Sequence, residues 1–380
     1  MSAYPPREEE PAQAGAPSPF RVESSGRYRS RRTRRPGEVN LKSSGLLDAR
    51  AADLHRRTLA GLDPLEVLTY PVLRDVYAEI ADHLDADPDG LVLTAGSDPG
   101  LGLLVRAFPR ARRIVLHHPN YEGWQKFARI AGCRLDQVPP DPGTGRFSLA
   151  DLASRLRGGP PAFVVVTQPH SFTGQVHARA ELESLARAVA DHGSLLVLDT
   201  AYLAFTEGGE KEIGTLTGRP HPPHVVRVNT FSKCFGLSGA RIAVLSSHPD
   251  TVRPLLDLDP EGPVSGTAVA LLRACLREQP LFEEIWAGVR EVREHFSRGV
   301  EEALPGWRAL PGGGNFATWQ VASPREAADA AAHLHAHGYV VRAVPSTPDS
   351  PAAVRIGVTD RSTAERVTDL LLRREQAVAR

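Results

Sequence analysis

The chain reads as an α/β protein with a mostly parallel central sheet and a second, smaller α+β domain. Three observations carry this. Short apolar runs at 91–94 (LVLT), 112–118 (RRIVLHH), 162–167 (AFVVVT), 194–202 (SLLVLDTAY), 224–229 (HVVRVN) and 240–247 (ARIAVLSS) alternate with amphipathic stretches such as AELESLARAVADHG. That pattern suits strands covered on both faces by crossover helices. The length of 380 residues leaves room for two domains of about 150 residues each, with no need of disulfide or metal staples. After Pro263 the pattern changes: two long helical stretches, LLRACLRE and FEEIWAGVREVREHFSRGVEEAL, precede NFATWQV, YVVRAV and VRIGV, which read as strands of a βαβ-like tail.

The expected boundaries follow. Residues 1–38 combine Pro, Glu and Ser with an arginine cluster (Arg27, Arg29, Arg31, Arg32, Arg34, Arg35) and form a flexible tail, because they hold too little apolar surface to offset the entropy of ordering. Residues 39–66 are an N-terminal segment of the small domain, 67–289 the large domain, and 290–380 the small C-terminal domain. From Pro71, PVLRDVYAEIADHL predicts an amphipathic helix, and PGLGLLVRAF predicts another with Ser97 and Asp98 as cap candidates. Ser323 with Glu326, and Ser362 with Glu365, have capping-box spacing and mark the last two helix starts.

Composition excludes several classes. Lys+Arg and Asp+Glu balance at 45 each, so no net field draws the whole molecule to nucleic acid or anionic lipid. Three cysteines with no CxxC spacing support neither a disulfide framework nor a zinc site, and point to a reducing, cytoplasmic setting. No run approaches the ~18 uninterrupted apolar residues of a membrane helix, and MSAYPPREEE lacks the apolar core of a signal peptide. A nucleic-acid-binding regulator built on the Arg27–Arg35 cluster is excluded by size, since the tail is too short and too polar to fold as a domain.

Lysine is scarce: it stands only at 42, 126, 211 and 233, against 41 arginines. Lys233 lies in VNTFSKCFGLSGARIAVL, in the loop after one strand and eight residues before Arg241. Loops at the carboxyl ends of strands are where open α/β sheets bind ligands. A lysine there can form a Schiff base with a carbonyl if charge and burial lower its pKa. Thr230 and Arg241 flank it with a hydroxyl and a guanidinium suited to a phosphate. Asp199 ends the most apolar strand and needs a cationic or strongly donating partner, with Tyr202 three residues on. The turn TAGSDPGL places Ser97 and Asp98 at a helix start, an anion site of the helix-terminus kind. Tyr121 in HHPNYEGW offers an aromatic face, and Arg355 inside AAVRIGV wants a carboxylate.

In this order (GSD, PxY, a TGQ turn, DxAY, TFSK eight residues before Arg, then RIG) the motifs resemble the fold-type I pyridoxal-phosphate enzymes, specifically class I/II aminotransferases of the histidinol-phosphate aminotransferase type. The resemblance covers about residues 40–375. It implies that Lys233 holds pyridoxal 5'-phosphate as an aldimine and moves the proton between substrate Cα and cofactor. Asp199 would pair with the pyridinium nitrogen, Tyr202 donate to the phenolate oxygen, and Tyr121 stack on the ring. Thr230, Arg241 and the amides near Ser97 and Asp98 would hold the phosphate. Arg355 would grip the substrate carboxylate. Tyr70 would reach the phosphate of a neighbouring subunit, implying a homodimer with shared sites.

The sequence departs from the pattern at two places. The family's NPxNPTG turn is QPHSFTG here, so Ser171 stands where an asparagine contacts the phenolate oxygen and Phe172 replaces a proline. NLKSSGLL also departs from the family's NENP-like segment. The expected function is therefore a cytoplasmic pyridoxal-phosphate aminotransferase acting on an amino acid or small amine of amino-acid or specialised metabolism. The alternative is a lyase, decarboxylating oxidase or cyclase that uses the same Cα carbanion.

Overall fold

The computed structural model describes residues 36–142, 144–259, 263–344 and 351–378. Residues 1–35 of the expected tail, its whole arginine cluster included, lie outside them. Thirteen strands occur among the described residues: β1 Val39–Asn40, β2 Leu91–Thr94, β3 Arg113–His117, β4 Arg134–Val138, β5 Ala162–Thr167, β6 Leu195–Asp199, β7 Val225–Thr230, β8 Ala243–Ser246, β9 Arg308–Ala309, β10 Phe316–Gln320, β11 Tyr339–Val340, β12 Arg342–Val344 and β13 Ala353–Gly357.

Seven strands make the central sheet, in the order β2-β8-β7-β6-β5-β3-β4. The pairs from β4 through β7 are parallel, and β8 runs antiparallel to both β7 and β2. The apolar runs form this sheet because helices cover both faces: every residue of β2, β3, β5, β7 and β8 is buried. β4 is the exception. RLDQV is polar and half-exposed at the sheet edge, so it gives no apolar signal.

The reversed strand decides where the chemistry gathers. Ala243 at the start of β8 sits opposite Thr230 at the end of β7 and opposite Thr94 at the end of β2. The residues just beyond those three points, which include Ser97, Lys233 and Arg241, are thereby brought to one edge. Thr167 and Asp199 stand side by side at the same edge, at the carboxyl ends of β5 and β6.

Lys233 rides on a four-residue helix, Phe231–Cys234, too short to be stable by itself. Aromatic packing holds it. Phe231, Phe235 and Phe282 are fully buried; the Phe231 and Phe235 rings stack at 5.9 Å, and Phe282 meets Phe235 edge-on at 4.8 Å. Each such side chain contributes about 1.5–3 kcal/mol by burial. The Trp286 indole N–H donates to the Cys234 carbonyl at 2.8 Å, closing the helix end. Trp286 lies on the 25-residue helix Gln279–Ala303, which runs without interruption across residue 290, the expected domain boundary.

The C-terminal strands refine one expectation. They form a four-stranded sheet with antiparallel neighbours, β12-β13-β10-β9. β10 and β12 flank β13, run parallel to each other and are joined by the helix Pro324–Ala336, so the expected βαβ-like unit is present but split by β13. Short apolar strands carry no directional signal, and β10 pairs with β13 along five residues, from Phe316 opposite Gly357 to Gln320 opposite Ala353. β1 pairs with β11 in parallel and ties residues 39–40 to this part of the chain.

Two caps also differ. Ser97 and Asp98 are the first residues of the helix Ser97–Ala107, and its N-cap is Gly96, at φ 96°. A helix begins at Arg361, and Asp360 rather than Ser362 precedes it: the Thr363 N–H and the Ser362 hydroxyl both donate to its carboxylate. Burial works against that charge, but these bonds hold the Asp360 carboxyl at about 2. Ser323 caps as expected, accepting from the Glu326 N–H at 3.1 Å.

Candidate active site

Two clusters lie at the edge where β5, β6 and β7 end. The first surrounds Lys233. Its ammonium donates to the Ser43 carbonyl at 2.5 Å. Asp199 is only partly exposed and accepts from the Ala201 N–H at 3.1 Å. Burial raises its carboxyl to about 6; the Ala201 N–H lowers it, Asp98 raises it further, and the Lys233 charge opposes. Tyr202 is buried, with its ring edge-on to Phe316 at 5.1 Å. Burial alone would raise its phenol, but the charges of Arg355 and Lys233 pull it below its usual value.

Arg355, 4% exposed in the middle of β13, shares this cluster. Its guanidinium lies over the Phe316 ring at 3.8 Å and donates to the Lys42 carbonyl, the Ser44 hydroxyl and the Tyr202 hydroxyl at 3.2, 2.7 and 3.1 Å. Burial lowers its pKa; the aromatic face and three acceptors offset part of the desolvation.

The second cluster is a cup. Gly96 lets the chain turn sharply into the helix Ser97–Ala107, and a Cβ there would run into the Arg241 guanidinium. Arg241 holds a left-handed backbone at φ 59°, uncommon outside glycine and costly. Its Nη1 donates to the Ser238 carbonyl at 3.2 Å. Thr230 caps the lysine helix, accepting from the Ser232 N–H and donating to the Ser232 hydroxyl at 3.0 Å. The helix start at Gly96 thus lies against the Arg241 guanidinium, with Thr230 at the end of the neighbouring strand, a donor set suited to a phosphate. Tyr121 joins the clusters: its hydroxyl donates to Asp98 at 2.7 Å, and burial together with the Asp98 carboxylate raises its phenol pKa.

A sequence-wide comparison bears on this arrangement. The family model described as aminotransferase class I and II matches residues 40–371. The chain belongs to that family. A histidinol-phosphate aminotransferase of Syntrophotalea carbinolica is 29% identical over 231 residues, covering 60% of this chain and 62% of that protein. An aromatic amino acid aminotransferase of Corynebacterium efficiens is 27% identical over 302 residues, covering 79% of this chain and 81% of that one. The structure of the Sinorhizobium meliloti histidinol-phosphate aminotransferase in complex with pyridoxal-5'-phosphate superposes with a TM-score of 0.78 at 22% identity, covering 90% of this chain and 91% of that chain, which establishes the shared fold.

The residues present fit the cofactor of this aminotransferase family. Asp199 is a carboxylate pushed up by burial, and a protonated ring nitrogen is the kind of partner that would hold its charge. The Ser171 hydroxyl oxygen is buried with no hydrogen-bond partner among the described residues. The cup offers donors of the kind a phosphate takes.

The expected residues do not all meet. Lys233, Asp199, Tyr202 and Arg355 gather, and Ser97, Asp98, Tyr121, Thr230 and Arg241 form the adjoining cluster. Ser171 sits on the turn that His170 organises, where the His170 Nδ1 accepts from the Thr173 N–H at 3.3 Å. Tyr70 is 90% exposed and points to solvent.

The sequence marked NLKSSGLL only as a departure, with no contact given to its residues 42–44, and marked neither Asn315 nor Arg342. Residues 42–44 reach Lys233 and Arg355 from almost 200 and more than 300 positions away. Asn315 donates to the Ser44 carbonyl at 2.9 Å. Arg342, opposite Arg355 in the β12–β13 ladder, lies 5.3 Å from the centre of the Phe172 ring and 3.5 Å from Glu122. The substitution of a proline by Phe172 was the one available signal for this last contact.

Proposed function

We propose that this chain is a pyridoxal-phosphate-dependent aminotransferase whose amino donor carries at least one anionic group. The observation that carries it is the meeting of Lys233, just past the end of β7, with Asp199, Tyr202 and Arg355 at one edge of the sheet, beside a phosphate cup.

Pyridoxal phosphate, when bound, supplies an electron sink for charge developing at the substrate Cα. Lys233, bound to nothing stronger than a carbonyl, attaches the cofactor and then moves a proton at Cα. Asp199 holds the ring nitrogen in its protonated form. Tyr202, its phenol pulled down by Arg355 and Lys233, presents a hydroxyl that donates readily to the cofactor's phenolic oxygen. Gly96, Ser97, Thr230 and Arg241 fix the phosphate. Arg355 orients the substrate through its carboxylate, and Arg342 beside it adds a second cation, favouring substrates with a further carboxylate or phosphate.

A homodimer completes the proposal. Leu65, Val67, Leu68, Tyr70 and Val72 are 59%, 66%, 76%, 90% and 77% exposed. A contiguous apolar segment this exposed marks an interaction surface, and a second copy would bring Tyr70 to the neighbouring phosphate cup. Mixed dimers carrying Lys233→Ala on one chain and Tyr70→Phe on the other are expected to keep one intact site.

The Ser171 hydroxyl, buried without a hydrogen-bond partner among the described residues, favours a second reading, a lyase or decarboxylating enzyme, because serine is shorter than asparagine by an amide group and does not reach the cofactor's phenolic oxygen as an amide would. A screen of amino acids and phosphorylated amines against purified holoenzyme separates the two. A keto product with accumulation of pyridoxamine phosphate supports transamination; steady release of ammonia or carbon dioxide without it supports the second reading. Among the described residues no helix is long and apolar enough to cross a membrane, and the enzyme is assigned to the cytoplasm on its cysteine usage.

A further inference from the structure

A carboxylate can dock on an arginine through two hydrogen bonds along either of two edges, Nη1 with Nη2 or Nε with Nη2, so both edges need Nη2. In Arg355 that nitrogen is already committed: it donates to the Ser44 hydroxyl at 2.7 Å and to the Tyr202 hydroxyl at 3.1 Å. Nη1 donates to the Lys42 carbonyl at 3.2 Å, and Nε is buried without a partner among the described residues. Any substrate carboxylate that docks with two bonds must take a hydrogen of Nη2 from one of the two hydroxyls.

Ser44 is built for that exchange. A serine hydroxyl has one hydrogen to donate besides its acceptor lone pairs. Ser44 accepts from Arg355, yet its own hydrogen meets no acceptor among the described residues. The residue is 1% exposed, so bulk water does not supply one. It also holds a left-handed backbone at φ 48°, a conformation that serine adopts at a cost and that marks sites fixed by their surroundings. What fixes it is the strand of Arg355 and its neighbour: Asn315 Nδ2 donates to the Ser44 carbonyl at 2.9 Å, and the Gly357 N–H, two residues past Arg355, donates to the Leu41 carbonyl at 2.7 Å.

We propose that Ser44 is a second carboxylate-recognition residue. Its hydroxyl accepts from Arg355 Nη2 until an amino acid arrives; the carboxylate then takes the Nε and Nη2 hydrogens, and Ser44 turns its own hydrogen to the nearer carboxylate oxygen. The inference rests on the proposed carboxylate role of Arg355 and adds a group that neither charge nor motif would select.

Dissociation constants for unreactive carboxylates (acetate, propionate and 3-phenylpropionate) test it, read by tryptophan fluorescence on the cofactor-free chain and by cofactor absorbance on the holoenzyme. Ser44→Ala and Ser44→Gly are each expected to weaken all three by about tenfold in both forms. Binding of 2-phenylethylamine, which has no carboxylate, stays unchanged. Glycine adopts φ 48° freely, so loss in Ser44→Gly cannot be assigned to backbone strain and stands even if Ser44→Ala folds poorly. Carboxylate constants within twofold of the parent in Ser44→Gly overturn the role of Ser44. If Arg355→Lys also leaves them unchanged, the carboxylate role of Arg355 falls and takes the proposal with it.

Discussion

The proposed phosphate cup draws on chain segments whose chemistry lies within a few residues of a strand end: Gly96 and Ser97 after β2, Thr230 as the last residue of β7, and Arg241 before β8. The proposed carboxylate grip around Arg355 joins residues 42–44, 202 and 355 through hydrogen bonds that span more than 150 positions, with Phe316 beneath the guanidinium. The cup is made largely of backbone N–H groups and one tight glycine turn, and it tolerates little change in shape. The grip is made of side chains that exchange partners. One is built to keep its ligand and the other to release it.

Four substitutions test that division, from the largest expected effect to the smallest. Arg241→Ala should raise the cofactor dissociation constant by about 100-fold, the loss of a charge-assisted contact, while the carboxylate constants of the reconstituted enzyme stay within twofold. Equilibrium dialysis with pyridoxal phosphate measures the first. Arg355→Lys should do the reverse: an amino-acid KM raised about tenfold or more, because lysine offers charge without the fork, with cofactor content intact. Loss of folding in that variant would instead make Arg355 a structural ion. If either substitution moves both ligands equally, the two clusters are one unit.

Asp199 gives the third test through pH. Its folded pKa, about 6, lies above the ordinary 3.8, so the folded chain holds the proton more tightly than the unfolded one. Stability from this group is greatest below pH 4 and is lost as the pH rises towards 6. The difference between cofactor-free parent and Asp199→Asn should therefore grow against the parent by roughly 2–3 kcal/mol across that window and stay flat above it. His117 and His177, lowered to about 4 by burial, act in the opposite direction: they stabilise the chain above pH 6.5 and weaken it as the pH falls. Chemical denaturation of both proteins at several pH values isolates the Asp199 part. An identical pH profile in parent and variant would remove the reason to assign Asp199 a cationic partner.

The smallest effect is expected at Ser171. Ser171→Asn, which replaces a partnerless hydroxyl with a longer amide, should shift the pH midpoint of the cofactor's absorbance modestly and leave the product unchanged. A product ratio that moves tenfold towards pyridoxamine phosphate, about 1.4 kcal/mol of transition-state preference, would favour the lyase reading of the native enzyme.

The same division explains what the sequence disclosed. Strands such as AFVVVT and the loop TFSKCFGLSGAR announce themselves because apolar runs, a strand end, a lysine and an arginine stand close together in the chain. The antiparallel course of β8 and of β10 against β13 left no local trace, since a short apolar strand looks alike in either direction. β4 was silent because RLDQV lies half-exposed at an edge. The contacts of Ser44 and Arg342 were hidden for a different reason: a serine in NLKSSGLL, legible only as a departure from the family pattern, and an arginine among 41 acquire a role only when pairing of β12 with β13, and of β1 with β11, brings them to Arg355. Lys42 shows how close the ambiguity runs, because its backbone, but not its ammonium, contacts the site.

That ambiguity also defines the most direct test of the central claim, that Lys233 carries the cofactor. Purified protein incubated with pyridoxal phosphate is reduced with borohydride, digested and mapped by mass spectrometry. The account predicts a single pyridoxyl-modified peptide containing Lys233, and no modification in Lys233→Ala. Stoichiometric modification at Lys42, Lys126 or Lys211, or equal labelling after loss of Lys233, would contradict it.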